Sequence, residues 1–537
     1  MSKLQDLICQ MKSFKEKGIC VLDNKGEHYL PYYMCYKRAI EIAHQMATLP
    51  SKYVIVIQDK NFDYLPEIWA GILTGKIVVP MNIGTAAGSI KELYNVWNFL
   101  DKPNIVMDLS LKDKLTNQNY SMDNMFFFPK KMDIIAEFNV SKQAEENIAL
   151  LMFSSGTTGE PKGVELTSEN IVNAIDSLVE HYNFTSEDVF LNWMSMTHAI
   201  GLNIFHLVPM YLKATQIILN QSLFISNPKV WMEKVSFYKV TVTGAVNFGL
   251  NMDLKSKLGE KIDLSKLRIL IVAGEPVSAT IISRFINKYS CSGLKENSIK
   301  NLYGMTESVL GITAVSKDAI SGNVVIDRRF LNVGDTVHYL ECRNDLKDGN
   351  TYNSSGVALK NVEVRLVNDS DEYLAENKIG HIQIKGKSIT NGYHKINNFS
   401  FFTPDGWLRT GDIGFLRSNH ELVIVGREKD IIIINGKNYY CLDLERILQE
   451  NVGIHVGDVA VASIFNGALQ AEIPIVFIKK SIFPDQRKLE KTKKMIKRNM
   501  SLYAGIRIER IVEVEEIPRT AAGKILRRKL VNNYIKS

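Results

Sequence analysis

Cysteine is scarce in this sequence and unpatterned. The six, Cys9, Cys20, Cys35, Cys291, Cys342 and Cys441, form no CxxC pair and stand at no zinc-ligand spacing from a histidine. That argues against a structural zinc site. A chain of 537 residues has no need of disulfide staples, so reduced thiols in a cytoplasm are expected. Long apolar runs are also missing. The start, MSKLQDLICQMKSFKEKG, is broken too often by charge for the apolar region of a signal peptide. The most apolar stretch, Leu202–Leu219, contains His206, Pro209 and Lys213, and reads as buried core rather than a membrane span. No basic stripe alternates with aromatics, and a net charge of +7 is spread over a long chain. Nucleic acid is therefore disfavoured, while an anionic substrate or partner fits. The Lys-rich run Lys491–Lys497 reads as a solvated helix face. There are no internal repeats and no low-complexity tracts.

What is present is a chain too long for one core. Short apolar runs alternate with helical patterns in the first half: strands at 52–58, 76–80, 104–108, 148–153 and 268–273, with helices at 62–74, 86–101 and from Ser168. This alternation predicts parallel sheets covered by helices. After about residue 310 the rhythm changes. A polar, irregular stretch (323–356) leads to strands at 362–367, 379–385 and 421–426 without long helices. Beyond residue 430 a separate α+β rhythm begins. A domain boundary is placed within Gly426–Asp430, a charged segment between apolar strands.

Five segments could carry chemistry. Ser154-Ser155-Gly156-Thr157-Thr158-Gly159-Glu160-Pro161-Lys162-Gly163 follows a predicted strand. Its hydroxyls and glycine amides can surround phosphate oxygens. It is not the usual P-loop, because Lys162 precedes Gly163 and its spacing from Gly156 differs. In Tyr303-Gly304-Met305-Thr306-Glu307-Ser308, Tyr303 can stack on a purine, Thr306 can bond phosphate and Glu307 can offer oxygen to Mg²⁺. Asp412 closes Gly406-Trp407-Leu408-Arg409-Thr410-Gly411-Asp412 and can accept ribose hydroxyls. The last two are Gly426-Arg427-Glu428-Lys429-Asp430 and Ile517-Pro518-Arg519-Thr520-Ala521-Ala522-Gly523-Lys524. Read alone, Lys524 is a surface cation.

In this order the five segments resemble the adenylate-forming superfamily of acyl-CoA synthetases, nonribosomal-peptide adenylation domains and luciferases, from about residue 20 onward. The resemblance implies an α/β with α+β architecture. A large N-terminal domain of stacked α/β lobes with a β-rich subdomain (1–428) would be followed by a small mobile α+β domain (429–537). It implies ATP and Mg²⁺ as cofactors, with 154–163 as the phosphate loop. Gly274-Glu275-Pro276 would contact adenine, Tyr303 stack on it, and Thr306 and Glu307 serve phosphate and metal. Asp412 and Arg427 would hold ribose, Lys429 act as the hinge, and Lys524 drive adenylation.

Three features narrow the branch. Asn192–Leu202, with His198, looks like the His motif of acyl ligases. No Asp lies between Asn192 and Leu219 to pair with a substrate ammonium, and an unpaired buried ammonium is costly. The stretch Ile326–Val367 resembles the extra segment of fatty-acyl-AMP ligases and polyketide loading ligases, a segment associated with poor use of free coenzyme A. Ile434–Tyr440 through Asp443-Leu444-Glu445, and the pocket segment Asn247-Phe248-Gly249, also fit those ligases. Ala199 and Cys441 depart from them, standing where Asp and Pro are usual. The expectation is a carboxylic acid, of the fatty class, carried through acyl-AMP to the phosphopantetheine of an acyl carrier protein. An acyl- or aryl-CoA synthetase is the rival.

Overall fold

The computed structural model describes the chain except residues 59–62, 84–86, 109–110, 112–124, 127–137, 155–160, 258–261, 341–348, 435–436, 456, 467–470, 484, 520–524 and 537. Two large sheets form the body. A six-stranded sheet runs in the order Met125–Phe126, Asn104–Val106, Tyr53–Gln58, Ile77–Asn82, Ile148–Ser154, Lys162–Thr167. Its strands are parallel except the last, which turns back antiparallel on Ile148–Ser154. A nine-stranded sheet has the parallel strands Ile299–Tyr303, Ile269–Val272, Val242–Ala245, Val189–Asn192, Thr215–Leu219 and Gly18–Asp23 at its centre, with short antiparallel strands at both edges.

The strand Tyr53–Gln58 shows why the β-branched runs fold this way. Val54 and Val56 enter the core shared with the nine-stranded sheet. Tyr53, Ile55 and Ile57 enter a second core with Leu93 and Trp97 of the helix Ala87–Phe99. Successive side chains alternate faces, and here both faces are covered. The helix Ser168–Tyr182 starts where Thr167 accepts from the Asn170 amide and Asn170 bonds back, and stops at left-handed Asn183.

A four-stranded antiparallel sheet follows: Val362–Val367, Gly380–Gly386, Leu408–Leu416 and Leu422–Arg427. The stretch expected to be irregular contains a hairpin, Asn323–Asp327 with Gly349–Asn353. Its buried side chains, Val324, Ile326 and Tyr352, join the core of the four-stranded sheet. Past the turn Glu428–Asp430, a three-stranded sheet (Val459–Asn466, Ala471–Lys479, Arg510–Val514) has helices on both faces. Leu444, Ile447, Leu489 and Ile496 pack on one face, Leu530 on the other. Tyr440 lies beyond the turn yet packs into the preceding core, its hydroxyl donating to Leu331 O at 3.1 Å. The run Leu202–Leu219 is buried over most of its length. Among the described residues no helix is long and apolar enough to cross a membrane.

Candidate active site

The antiparallel turn-back of the six-stranded sheet sets Ser154 opposite Lys162. Ser155, Gly156, Thr157, Thr158 and Gly159 lie outside the described residues. The exit strand is held by a second segment: Gly163 O accepts from His394 N at 2.8 Å, and Val164 bridges Tyr393. The Lys162 ammonium stands 4.5 Å from the Phe401 ring centre and 5.8 Å from that of Tyr393. Burial pushes its pKa down, the Lys429 cation adds to this, and Glu307 opposes it.

Glu307 is buried, and its Oε1 accepts from the Tyr393 hydroxyl at 2.7 Å. Its carbonyl accepts from Thr390 N at 2.7 Å. The backbone just after it is strained. Val309 has φ +63° and ψ −55°, with Leu310 N donating to Ser308 O at 2.6 Å. This is a γ-turn of the rare hand, on a β-branched residue. Such strain costs roughly 1–3 kcal/mol and persists only where the surroundings enforce it. Here Asn203 Nδ2 donates to Val309 O at 2.8 Å. The turn drives Leu310 O toward Gly304, where an added Cβ would stand 2.1 Å from that oxygen. Gly304 is thus required by contact, not by φ.

Asp412, on the third strand of the four-stranded sheet, is buried. Its Oδ2 accepts from the Tyr303 hydroxyl at 2.6 Å, and its Oδ1 pairs with Arg427 Nε at 2.9 Å. Arg427 keeps 48% of its side chain exposed, and its pKa is raised chiefly by Asp412, with Asp430 and Glu307 contributing. Tyr303 is pushed well up by burial and by Asp412. One charged cluster therefore joins Lys162, Glu307, Asp412, Arg427 and Lys429, with Thr306 partly exposed beside Glu307.

The residues expected to form the acyl pocket, Asn247, Phe248 and Gly249, open the helix Asn247–Lys255 beside the expected adenine segment. Gly274 adopts φ +88°, and its added Cβ would lie 3.3 Å from Ile200 and Val246. Asn247 spends its amide as a brace, donating to Pro276 O at 2.8 Å and accepting from Ser278 N at 3.2 Å. Phe248 is 37% exposed, and its amide donates to Glu275 Oε1 at 3.2 Å. Gly249 lets the Trp193 indole approach, since a Cβ there would stand 2.2 Å from the ring. His198 is partly exposed, and its carbonyl accepts from Leu202 N at 2.9 Å as the helical run through Leu207 begins.

Lys524 lies outside the described residues. The residues flanking its loop are pinned together: Arg519 bridges Ile525, and Leu526 N donates to Pro518 O at 2.8 Å. Arg519 faces Glu275, whose charge offsets part of the lowering that burial imposes on the guanidinium. Between these parts opens a cleft of 260 Å³ lined by Phe248, Met252, Lys255, Asp458, Ile517 and Arg519, among others.

Among the described residues no group of three or more His, Cys, Asp or Glu could hold a metal. A single carboxylate such as Glu307 suits Mg²⁺ that arrives with nucleotide, because this ion keeps several waters and binds substrate phosphates. The Glu307 carboxylate fits that use. Sequence reasoning missed Tyr393 and Val309. Tyr393 lies in Asn391-Gly392-Tyr393-His394, which has no distinctive spacing, and the strain at Val309 leaves no mark in composition. It also missed the network around His206. Trp69 Nε1 donates to His206 Nε2 at 2.9 Å, and His206 Nδ1 meets Gln216 Oε1 at 3.0 Å.

A family model described as AMP-binding enzyme matches residues 37–394. The chain is 25% identical over 540 residues to the long-chain-fatty-acid–AMP ligase FadD26 of Mycobacterium marinum, covering 94% of this chain and 91% of that one. It is 27% identical over 425 residues to a 4-hydroxyphenylalkanoate adenylyltransferase of the same species, covering 75% and 68%. A solved structure of McyG A-PCP with phenylalanyl-adenylate superposes with a TM-score of 0.84 at 28% identity, over 99% of this chain and 83% of that one. Fatty acyl-adenylate ligases from E. coli and L. pneumophila share the fold with a TM-score of 0.88 at 22% identity, over 100% and 99%. The chain belongs to the AMP-binding enzyme family, as an ATP-using, AMP-forming ligase that activates an acid as its acyl-adenylate.

Proposed function

We propose that the acid is a fatty acid and that its acyl group passes to the phosphopantetheine thiol of an acyl carrier protein. A carboxylate oxygen attacks the α-phosphorus of ATP, and the bond to pyrophosphate breaks. Asp412 and Arg427 would hold the ribose, Tyr303 the adenine, and Lys162 with the 154–163 loop the phosphates. Mg²⁺, held through Glu307, would neutralise phosphate charge. Lys524 would bridge the carboxylate and phosphate oxygens, and losing one such preorganised group typically costs on the order of 10²–10³ in rate. The thiol then attacks the acyl carbon and AMP leaves with its electron pair. Rotation at Lys429 would carry Lys524 away first.

The observation that carries the acceptor assignment is the grip of the extra segment on the C-terminal part. Tyr352 donates to Asp443 Oδ2 at 2.6 Å, Arg446 Nη1 to Thr351 O at 2.9 Å, and Arg328 Nη1 to Tyr503 O at 2.9 Å. Such ties bias the orientations open to that part, and so which acceptor reaches the adenylate. The likeness to the long-chain-fatty-acid–AMP ligase FadD26 along nearly the whole length supports a fatty acid as the substrate. The test is a competition of free coenzyme A against holo carrier proteins, with fatty acids, Mg-ATP and intact-mass detection. Acyl mass on a carrier with little acyl-CoA is expected. Acyl-CoA beside unmodified carriers would overturn the assignment in favour of a coenzyme A synthetase.

A further inference from the structure

The helix Gln486–Asn499 holds seven Lys and Arg side chains against one Glu. It nearly accounts for the whole chain's net charge of +7, so that charge is concentrated rather than spread. Arg487, Lys491, Lys494 and Arg498 are all exposed and recur at the i, i+4, i+7, i+11 spacing of one helix face. Among the described residues none of these four has an ion pair, whereas Lys493 on the flank bonds Glu490 and Glu513.

This arrangement works against the helix. Like charges three and four apart each destabilise it by roughly 0.2–0.5 kcal/mol. Cations in the first turn, such as Arg487 and Lys488, also oppose the helix dipole, which favours them only near Lys497 and Arg498. A face kept merely for solvation would mix both signs at no such cost. The helix's buried apolar residues, Leu489 and Ile496, belong to the C-terminal core. Along it Met495 is only partly buried and no aromatic side chain is exposed, and the nearest exposed apolar side chain, Leu502, stands in the turn beyond, so the face lacks the apolar stripe of a lipid-inserting helix and the rings on which bases stack. Its end runs straight into the turn Met500–Ala504, where the Tyr503 carbonyl meets Arg328. The basic face thus ends at the seam between the two parts of the chain.

We propose that this face docks an acidic protein surface, that of the carrier bearing the acceptor thiol. The inference rests on the carrier reading above and names the surface that carrier uses. Attraction of this kind speeds encounter and is screened by salt.

The test is R487Q/K491Q/K494Q/R498Q, which keeps good helix formers. None of the four belongs to the nucleotide or acyl site, so acid-dependent ATP–pyrophosphate exchange should match wild type. So should acyl transfer to free pantetheine. With the holo acyl carrier protein that wild type loads best from a panel, kcat/KM at low salt should fall on the order of tenfold, through KM. The two proteins should converge at about 1 M salt, where the Debye length is about 3 Å. Equal loading by both proteins at every salt concentration would overturn the docking surface and leave the carrier reading standing. Wild type that loads coenzyme A and no carrier would overturn both. Vesicles of anionic lipid retained by wild type and not by the variant, with carrier loading unchanged, would assign the face to a membrane instead.

Discussion

Replacing Tyr393 by Phe removes one hydroxyl and leaves the ring that Lys162 and Phe401 pack against. That hydroxyl donates to Glu307 Oε1 at 2.7 Å in a buried setting, so its loss frees the carboxylate to turn. A hydrogen bond to a charged group is worth about 1.5–3 kcal/mol. At about 1.4 kcal/mol per tenfold, that is on the order of 10–10² in the rate of adenylate formation. The loss should fall on the half-reaction that uses Glu307, and the variant should need more Mg²⁺ for half-maximal rate. The assay is acid-dependent ATP–pyrophosphate exchange titrated with Mg²⁺, beside thioester formation from synthetic acyl-adenylate. Exchange at the wild-type rate and Mg²⁺ requirement would refute the claim that Tyr393 positions Glu307. So would equal losses in both half-reactions.

Gly304→Ala should cut exchange on the order of 10²-fold, because its Cβ would collide with Leu310 O at 2.1 Å and displace the Tyr303–Glu307 segment; a crystal structure of the variant with that segment unmoved would count against this. Lys524→Ala should nearly abolish adenylation and spare thioester formation from supplied acyl-adenylate, whereas Lys429→Pro should do the reverse; single-turnover measurement of each half-reaction checks both. His206 is buried with its pKa pushed down from 6.5 to about 4, chiefly by burial. As pH falls the unfolded chain takes up the proton first, so this stability is full above about pH 6.5 and is lost through the window down to about pH 4, by about 3 kcal/mol in total. Denaturant melts between pH 7 and 5 should show about 2 kcal/mol of that loss, and a His206→Gln variant with the same pH slope would contradict it.

The buried strands were legible because their β-branched runs are short, apolar and bounded, as at Ile269–Val272 and Ile148–Ser154. The helix at Ser168 was legible from its polar start and amphipathic course. The hairpin through Tyr352 was not, since its strands, NVVID and GNTYN, are half polar and gain their burial only against the four-stranded sheet and Asp443. The expected nucleotide-side residues come from local segments and the family resemblance they carry, which say nothing of how those segments meet in space. Tyr303 and Asp412 are 109 residues apart in sequence and meet through one hydrogen bond. Tyr393 escaped because a tyrosine in a plain turn carries no signal until Glu307 stands beside it. Nor could the bracing of Pro276 and Ser278 by the Asn247 amide be read from the sequence, since these partners lie 29 and 31 residues away.

If Glu307, Asp412, Arg427 and Lys162 form one adenylation centre, as proposed, the loss of either carboxylate must fall on adenylate formation. The measurement that tests it most directly is acid-dependent exchange of labelled pyrophosphate into ATP, run on wild type, Glu307→Gln and Asp412→Asn. Wild-type exchange should require both acid and Mg²⁺, AMP should be the nucleotide released once a thiol is added, and each variant should lose on the order of 10² or more. Exchange that persists undiminished in both variants would contradict it.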